Sequence, residues 1–384
     1  MPNPPHILLY EPRSEGHHPI FLAYFASAFV QIGYRVTVCT DSKNLRWTHI
    51  SQNVDKGYLS KIESFPLPPS AGKKQHLKAL CTLNAEINPD EIFLCSLDEI
   101  ASSLWRKAAL GLLPALSLSG KISGLYIRPR VLTQSRSLGL ALKRHGVHKL
   151  NKKRFFKRIF VLDERITENA KEYRSNIPIH WLPDPAPAYE YLSREKAREK
   201  LSLPQNAFIP LIFGQGHKRK GIGLAIDAIN KLSDPKVFLL CAGKQDPKGA
   251  WLQSLETLCR NRQSSLINAF IPEDTLRDCL AACDVVLLPY MSHFGSSNNL
   301  ALAAHAERPV ISSDYDLVGQ RVKKHGLGLT FKNENPESLM QALSECILRH
   351  QKGLTPDDKL ALKQYAAMHS LDAFNRHLSQ ADPS

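Results

Sequence analysis

The sequence predicts an α/β chain of two Rossmann-like, doubly wound domains with a cleft between them, and three observations predict it. The chain has 384 residues, 43% of them hydrophobic, which at roughly 150 residues per domain suffices for two buried cores. Short β-branched or aliphatic runs alternate with longer stretches of apolar residues at three- and four-residue spacing, the pattern of parallel strands covered by helices on both faces. That rhythm halts at the proline-dense Leu182-Pro183-Asp184-Pro185-Ala186-Pro187 and then begins again.

In the first half, strands are expected at His6–Tyr10, Arg35–Thr40, Glu91–Cys95, Ser123–Arg128 and Arg158–Leu162, with helices at Pro19–Ile32, Lys73–Ile87, Asp98–Leu110 and Ser135–Leu150 between most of them. Residues 181–206 hold too much proline for helix or central strand before a charged helix, Ser193–Leu201, and read as an interdomain linker. Strands then recur at Ala207–Phe213, Val237–Ala242, Leu266–Phe270, Asp284–Pro289, Pro309–Ser312 and Gly328–Phe331. A last helical tract, Asp357–Leu378, has no strand after it and is expected to pack on existing structure. The expected division is a first domain at 1–180, the linker at 181–206, a second domain at 207–355 and a helical tract at 356–384.

Lys and Arg total 50 against 36 Asp and Glu, a net charge of +14, which favours anionic partners without choosing among nucleic acid, phosphorylated small molecules and an anionic membrane. No aromatic-rich RNA-binding strand or zinc module supports nucleic acid. The eight cysteines show no C-x-x-C pair or metal-ligand spacing and read as reduced, mostly buried thiols; Cys279 and Cys283 read as helix core rather than half of a metal site. The start of the chain passes from Met1 into a strand without a basic region or long apolar segment, so no secretion is expected. The longest apolar run, Ala108–Leu118, is broken by Pro114 and falls short of the roughly 18 residues of a membrane span. A cytoplasmic location is the expectation.

Open parallel sheets bind ligands beyond the carboxyl ends of their strands, which singles out three loops. After the first strand, Glu11–His18 brings Glu15, His17 and His18 together beside Gly16, at a helix start where free amides favour negative charge. After the first strand of domain two, Gly214-Gln215-Gly216-His217-Lys218-Arg219-Lys220-Gly221 combines glycines, three consecutive cations and a helix start, the ingredients of a diphosphate clamp with Lys220 as its point charge. It is neither a Walker loop nor a G-x-G-x-x-G fingerprint, which argues against NTP hydrolysis and NAD binding. The third loop, Pro289–Asn299, sets Ser296, Ser297, Asn298 and Asn299 in a row after Gly295; one helix cap needs one such residue, so the rest suit phosphate or sugar oxygens.

The order of these features resembles the GT-B glycosyltransferases, specifically the family 4 (group 1) branch, over nearly the whole chain. Phe213-Gly214, Lys220-Gly221, Cys241-Ala242-Gly243, the strand from Ala282 to Pro289 and Arg308-Pro309-Val310-Ile311 carry the likeness, with the Gly16 loop and Ile32-Gly33-Tyr34-Arg35-Val36 in domain one. The resemblance implies a glycosyltransferase that uses a nucleotide-diphosphate sugar, retains anomeric configuration and needs no cofactor. Lys220 and Gly16 would then meet the donor diphosphate, and Gly214, Gln215, Gly243 and Gly295, Ser296, Ser297 and Asn298 would complete the donor site. The sequence departs from the family in having Gln215 where an Arg is usual, and Phe294 and Leu302 where two glutamates stand. No Asp-x-Asp pair lies at a strand end, so metal-independent transfer is expected, with the diphosphate stabilised by Lys220 and helix amides. Asp98, His17 and His18 are the candidate catalytic groups, and Arg128 and Arg130 would steer the acceptor, a lipid-linked or other saccharide. Asp98 equally suits a helix cap. Nine Lys or Arg and no acid between Arg136 and Arg158, interleaved with leucines and Phe155-Phe156, suit docking on anionic lipid or a solvated basic face. A catalytically silent nucleotide-sugar-binding or scaffold protein that partners another transferase is the alternative.

Overall fold

The structure is a computed structural model that describes residues 3–14, 16, 18–41, 57, 61–72, 75–133, 137–169 and 177–381. The chain forms two compact units: unit 1 comprises residues 1–183 with 374–384, and unit 2 comprises 184–373.

Among the described residues, unit 1 is built on a seven-stranded sheet in the order β3-β2-β1-β4-β5-β6-β7. Its strands are β1 His6–Glu11, β2 Arg35–Thr40, β3 Ile62–Pro66, β4 Glu91–Leu94, β5 Ile122–Tyr126, β6 Phe156–Val161 and β7 Ile179–Trp181. All pairings are parallel. The central strands are apolar on both faces because helices cover both: every residue of β1 after His6 is buried, as is all of β4. The helix His18–Ile32 packs Phe25 and Phe29 against Phe93 of β4, with ring centroids 4.5 and 5.2 Å apart. Burial carries the Cys39 thiol up to about 12, as it does for Cys241 and Cys283; these are inert core thiols.

Unit 2 holds a six-stranded parallel sheet in the order β10-β9-β8-β11-β12-β13: β8 Pro210–Phe213, β9 Leu239–Ala242, β10 Ser264–Ile267, β11 Val285–Leu288, β12 Val310–Ser313 and β13 Gly328–Phe331. The expected Leu266–Phe270 strand therefore starts two residues early and stops at Ile267, because the segment that follows turns through Pro272 into the helix Glu273–Ala282.

Two strands escape the sequence reading. β3 is a sheet edge whose residues are all exposed or half-buried, and β7 has three half-buried residues, so neither carries an apolar run. The expected linker at 181–206 is mostly part of unit 2. Within it the helix Arg194–Lys200 buries Arg198, which donates to Asp284 at 2.7 Å and to the carbonyls of Ala282, Gln205 and Ala207. The expected single tract at 357–378 breaks into helices Pro356–Met368 and Leu371–Gln380. At the break, His369 accepts from the Ala186 amide through its carbonyl (2.9 Å) and from the Asp184 amide through Nδ1 (3.1 Å), interactions a continuous helix would forbid.

The last residues return to unit 1. Phe374 packs on Phe25, and buried Arg158 of β6 donates to the Ala381 carbonyl (2.9 Å) while forking onto Glu91 at 3.0 Å. Lys157 also binds Glu91, at 2.7 Å. The basic segment is thus partly structural: Lys157 and Arg158 neutralise a buried acid, Arg144 binds the carbonyls of Val131 and Thr133, Lys149 binds that of Ala109, and Phe155, Phe156 and Leu150 are core. Arg136 lies outside the described residues. Truncating one partner of a buried ion pair strands the other's charge. Arg158→Ala should therefore lower unfolding stability by about 3–5 kcal/mol, measured by urea denaturation of unit 1's fluorescence transition; a loss under about 1 kcal/mol would show that the pair is not buried as described.

Candidate donor site

In unit 2 the chain winds from β8 to β9 in one direction and from β11 to β12 in the other, so β8 and β11 are neighbours in the sheet without being consecutive in the chain. The loops leaving their carboxyl ends diverge and leave a crevice, the place where open α/β sheets hold ligands. Those loops are the second and third of the sequence reading.

Lys220 closes a short 3-10 turn, Lys218–Lys220, before the helix Ile222–Leu232. Its ammonium donates to the Phe213 carbonyl (3.3 Å) and the Tyr290 hydroxyl (3.1 Å) and lies 4.7 Å from the centre of the Tyr290 ring. The half-buried cation is fixed by neutral groups and has no carboxylate partner among the described residues, so its charge remains available to an anion. Two glycines make the crevice possible. Gly221 has φ +68° and a Cβ there would fall 1.8 Å from the Pro289 carbonyl oxygen; Gly243, at φ +143°, would collide with the Gly214 carbonyl at 2.1 Å. Both positions exclude any side chain, because the loops after β8, β9 and β11 pass in backbone contact.

The polar residues of the third loop do not cap the helix Asn298–His305, whose start has no side-chain cap. Ser297 pairs its hydroxyl with that of Tyr290 at 3.0 Å, and Asn299 donates to the Phe213 carbonyl at 3.1 Å. Ser296 binds Asp184, and the same carboxylate oxygen accepts from Arg321 at 3.1 Å, all three side chains meeting in unit 2's interior. Gly295 donates its amide to Asp316 at 2.9 Å. The Asn298 side-chain oxygen is buried and has no hydrogen-bond partner. A buried acceptor left unsatisfied costs about 1–3 kcal/mol, and a ligand hydroxyl would remove that cost. Gln215 is exposed, apart from these contacts.

Sequence reasoning missed the supports. Buried Gln245 donates to the Gly243 carbonyl at 2.6 Å, accepts from Trp251 at 3.1 Å and fills the space beside Gly216. His293 is pushed down to about 4, first by burial and then by Arg219 beside it. The ring is therefore neutral at pH 7; it accepts from Arg219 at Nδ1 and donates from Nε2 to the Ser296 carbonyl at 3.1 Å. Tyr290 was marked only by its place after Pro289 at a strand end; Asp184 and Arg321 carried no local signal.

Unit 1 has its own crevice between β1 and β4. Gly16 sits there at φ +64°, and His18 opens the following helix with Nδ1 2.9 Å from Glu11. His17 lies outside the described residues. The cap expected of Asp98 is not formed: the helix begins on Asp98 itself, and its carboxylate accepts from the Ile127 (2.8 Å) and Arg128 (3.0 Å) amides at the end of β5. Burial raises its pKa against the pull of those amides. Arg128 and Arg130 are exposed. Among the described residues no group of three His, Cys, Asp or Glu is placed to hold a metal ion.

Residues 208–349 match the family model described as Glycosyl transferases group 1. Over 163 residues the chain is 26% identical to a GDP-mannose:glycolipid 4-beta-D-mannosyltransferase of Xanthomonas campestris pv. campestris, a match covering 41% of this chain and 46% of that protein. The chain thus spans about half the length of the curated relatives it matches. Its fold is similar to that of a glycosyltransferase from Rickettsia africae, with a TM-score of 0.72 and 13% identity over 98% of this chain and 97% of that one. It is also similar to Anabaena Alr3699/HepE in complex with UDP, with a TM-score of 0.69 and 15% identity over 98% of each. The fold is therefore of the GT-B type, and the match to the group 1 family model falls within the second unit.

Lys220→Ala should weaken nucleoside-diphosphate binding at least fivefold in calorimetric titration while leaving the thermal transition in place; unchanged affinity would remove Lys220 from the site.

Proposed function

We propose that the protein is a glycosyltransferase that moves a sugar from a nucleotide-diphosphate sugar to a hydroxyl of a lipid-linked or other saccharide acceptor, in glycolipid or polysaccharide synthesis. One observation carries the reading: the uncompensated Lys220 ammonium lies at the switch between β8 and β11, beside the helix whose first residue, Asn298, holds an unsatisfied oxygen. The group 1 domain match, the relative named for GDP-mannose and a glycolipid, and the UDP-bound neighbour support it.

Such a reaction is limited by charge developing on the departing diphosphate. Lys220 and the amides opening the Ile222–Leu232 and Asn298–His305 helices supply positive potential there at fixed positions, so little reorganisation is needed as the bond breaks. The same charges perform what a divalent ion would, and metal-independent transfer is part of the proposal. In unit 1, His17, His18 and Asp98 are assigned to the reacting centre, Arg128 and Arg130 to the acceptor, and Gly16 to the donor diphosphate. Asp98 has both oxygens bound to amides, which leaves His18 and His17 as the better bases.

Incubating the purified chain with a panel of GDP- and UDP-sugars, lipid-linked saccharide acceptors and EDTA tests this directly. Release of nucleoside diphosphate coupled to acceptor glycosylation, undiminished by EDTA, is expected. Binding without turnover would establish the silent donor-binding protein, and metal-reversible loss would refute the charge argument. The anomeric configuration of the product, read by NMR, tests the retention implied by the family resemblance, and an inverted product would refute it.

Docking on anionic membrane is proposed as well, on a surface smaller than the sequence suggested. The segment from Leu110 to Gly120 is tied to the helix Leu138–Lys152 through Lys149 at the Ala109 carbonyl, and to Phe155 through the Gly120 amide at 3.0 Å. It exposes Leu110, Leu112, Leu113 and Leu116 beside exposed Lys152, Lys153 and Arg154. Exposed apolar side chains and cations on linked segments suit a headgroup boundary, with about 1 kcal/mol per cation near the surface. Co-sedimentation with phosphatidylglycerol vesicles should exceed that with neutral vesicles at low salt and fall in a Lys152→Ser, Lys153→Ser, Arg154→Ser variant; equal binding in either comparison would discard the surface.

A further inference from the structure

At the opposite edge of the second sheet from the donor loops, the amino ends of β11, β12 and β13 open onto a cavity of about 570 Å³, within the roughly 300–1,000 Å³ of small-molecule sites. Val310, Leu327, Leu354 and Leu362 give it apolar walls. Its acids are already committed. Asp284 binds Arg198 and the Ile209 amide at 2.7 Å and Arg194 at 3.1 Å, Asp358 caps its own helix through Thr355, and Glu307 faces Lys363 at 3.5 Å.

The cations on the same walls are not all so engaged. Arg308 is held by two carbonyls, Nε on Leu280 and Nη2 on Ala281, each at 2.9 Å, and among the described residues its Nη1 has no hydrogen-bond partner. Lys352 and Lys359 also line the cavity and have no acid partner among the described residues. A guanidinium locked in place with one nitrogen unused and two ammoniums on the same lining present three positive charges, against one negative charge from Asp358, whose capping partners are neutral. That matches a doubly charged phosphate better than a single carboxylate, and fixed donors bind it with little loss of side-chain freedom.

We propose that this cavity is a second binding site, independent of the donor crevice, for a phosphate monoester bearing an apolar body. The phosphate meets Arg308, Lys352 and Lys359, and the body lies against Val310, Leu327, Leu354 and Leu362. Arg194 belongs to the segment by which the chain enters unit 2, and Leu354 and Leu362 to the segment preceding its exit at Ala373. Both segments line the cavity, and a ligand bound there stabilises the unit as its occupancy rises.

Titration calorimetry of the full chain with octyl phosphate, below its micellar concentration, tests the proposal. Binding of one molecule per chain is expected. The affinity should fall at least tenfold in the Lys352→Ser, Lys359→Ser variant, whose changes are at exposed positions, and stay unchanged in Lys220→Ala. Octyl glucoside and inorganic phosphate, which each lack one half of the ligand, should bind at least tenfold more weakly than octyl phosphate. Equal affinity in the double lysine variant, loss of binding in Lys220→Ala, or parity of either control with octyl phosphate would each overturn the site.

Discussion

A parallel sheet wound in both directions must somewhere place side by side two strands that are far apart in the chain, and the loops leaving those strands turn away from each other. In unit 2 the pair is β8 and β11, in unit 1 it is β1 and β4. Everything at the donor crevice follows from that winding. It brings Lys220, seven residues after Phe213, against Tyr290, which follows β11, and it sets the Asn298 helix so that Asn299 reaches the Phe213 carbonyl. The carbonyl at the end of β8 is shared by a cation and an amide from opposite loops, so the crevice has a defined width. The glycines at 221 and 243 are the consequence of that width, since three loops meet there in backbone contact.

Holding such a loop requires buried polar groups, and an unmatched one is costly. The Asp184–Arg321 pair meets Ser296 in the interior of unit 2, and His369 fixes the Asp184 backbone, so the third loop is fastened to the segment that enters the unit. Buried ion pairs often add little net stability, but removing one partner is costly, which makes this network a device for position more than for strength. His293 works in the same way. Its depressed pKa, about 4, keeps the ring neutral and its tautomer set by Arg219 and the Ser296 carbonyl. The unfolded chain takes up this proton near 6.5 and the folded one only near 4, so the loop's stabilisation is complete above 6.5 and declines as pH falls toward 4.

What the sequence made legible was whatever is encoded locally. β11 was evident because Val285–Leu288 is apolar on both faces, and Lys220 because three cations next to a glycine at a strand end are an unusual turn. The hydroxyls of Ser296 and Ser297 singled out their loop by spacing alone; their partners, Asp184 and Tyr290, are set by tertiary folding, and in the case of Asp184 by a segment that proline density had marked as linker. β3 escaped because an edge strand needs no apolar run, and Gln245 because its role depends on Gly216 lacking a side chain. The basic segment shows the converse. Nine cations in a row of residues looked like one surface, yet Arg158 and Lys157 neutralise Glu91 and two others bind carbonyls, so charge counted along the chain overstated charge in space.

The departures from the family pattern bear on how a donor would be recognised. Phe294 and Leu302 stand where the resemblance expects glutamates, and Leu302 is buried. A carboxylate accepting from a sugar hydroxyl contributes about 1.5–3 kcal/mol, and a neutral amide oxygen such as that of Asn298 about 0.5–1.5. The hydroxyl end of a donor would therefore be held less strongly here than two glutamates would hold it. A diphosphate would still meet the Lys220 cation and the helix starts, whose attraction depends on charge and not on the identity of base or sugar. Under the proposed function, affinity would reside mainly at the diphosphate, and discrimination between sugars would come from the neutral geometry around Asn298 and from the acceptor.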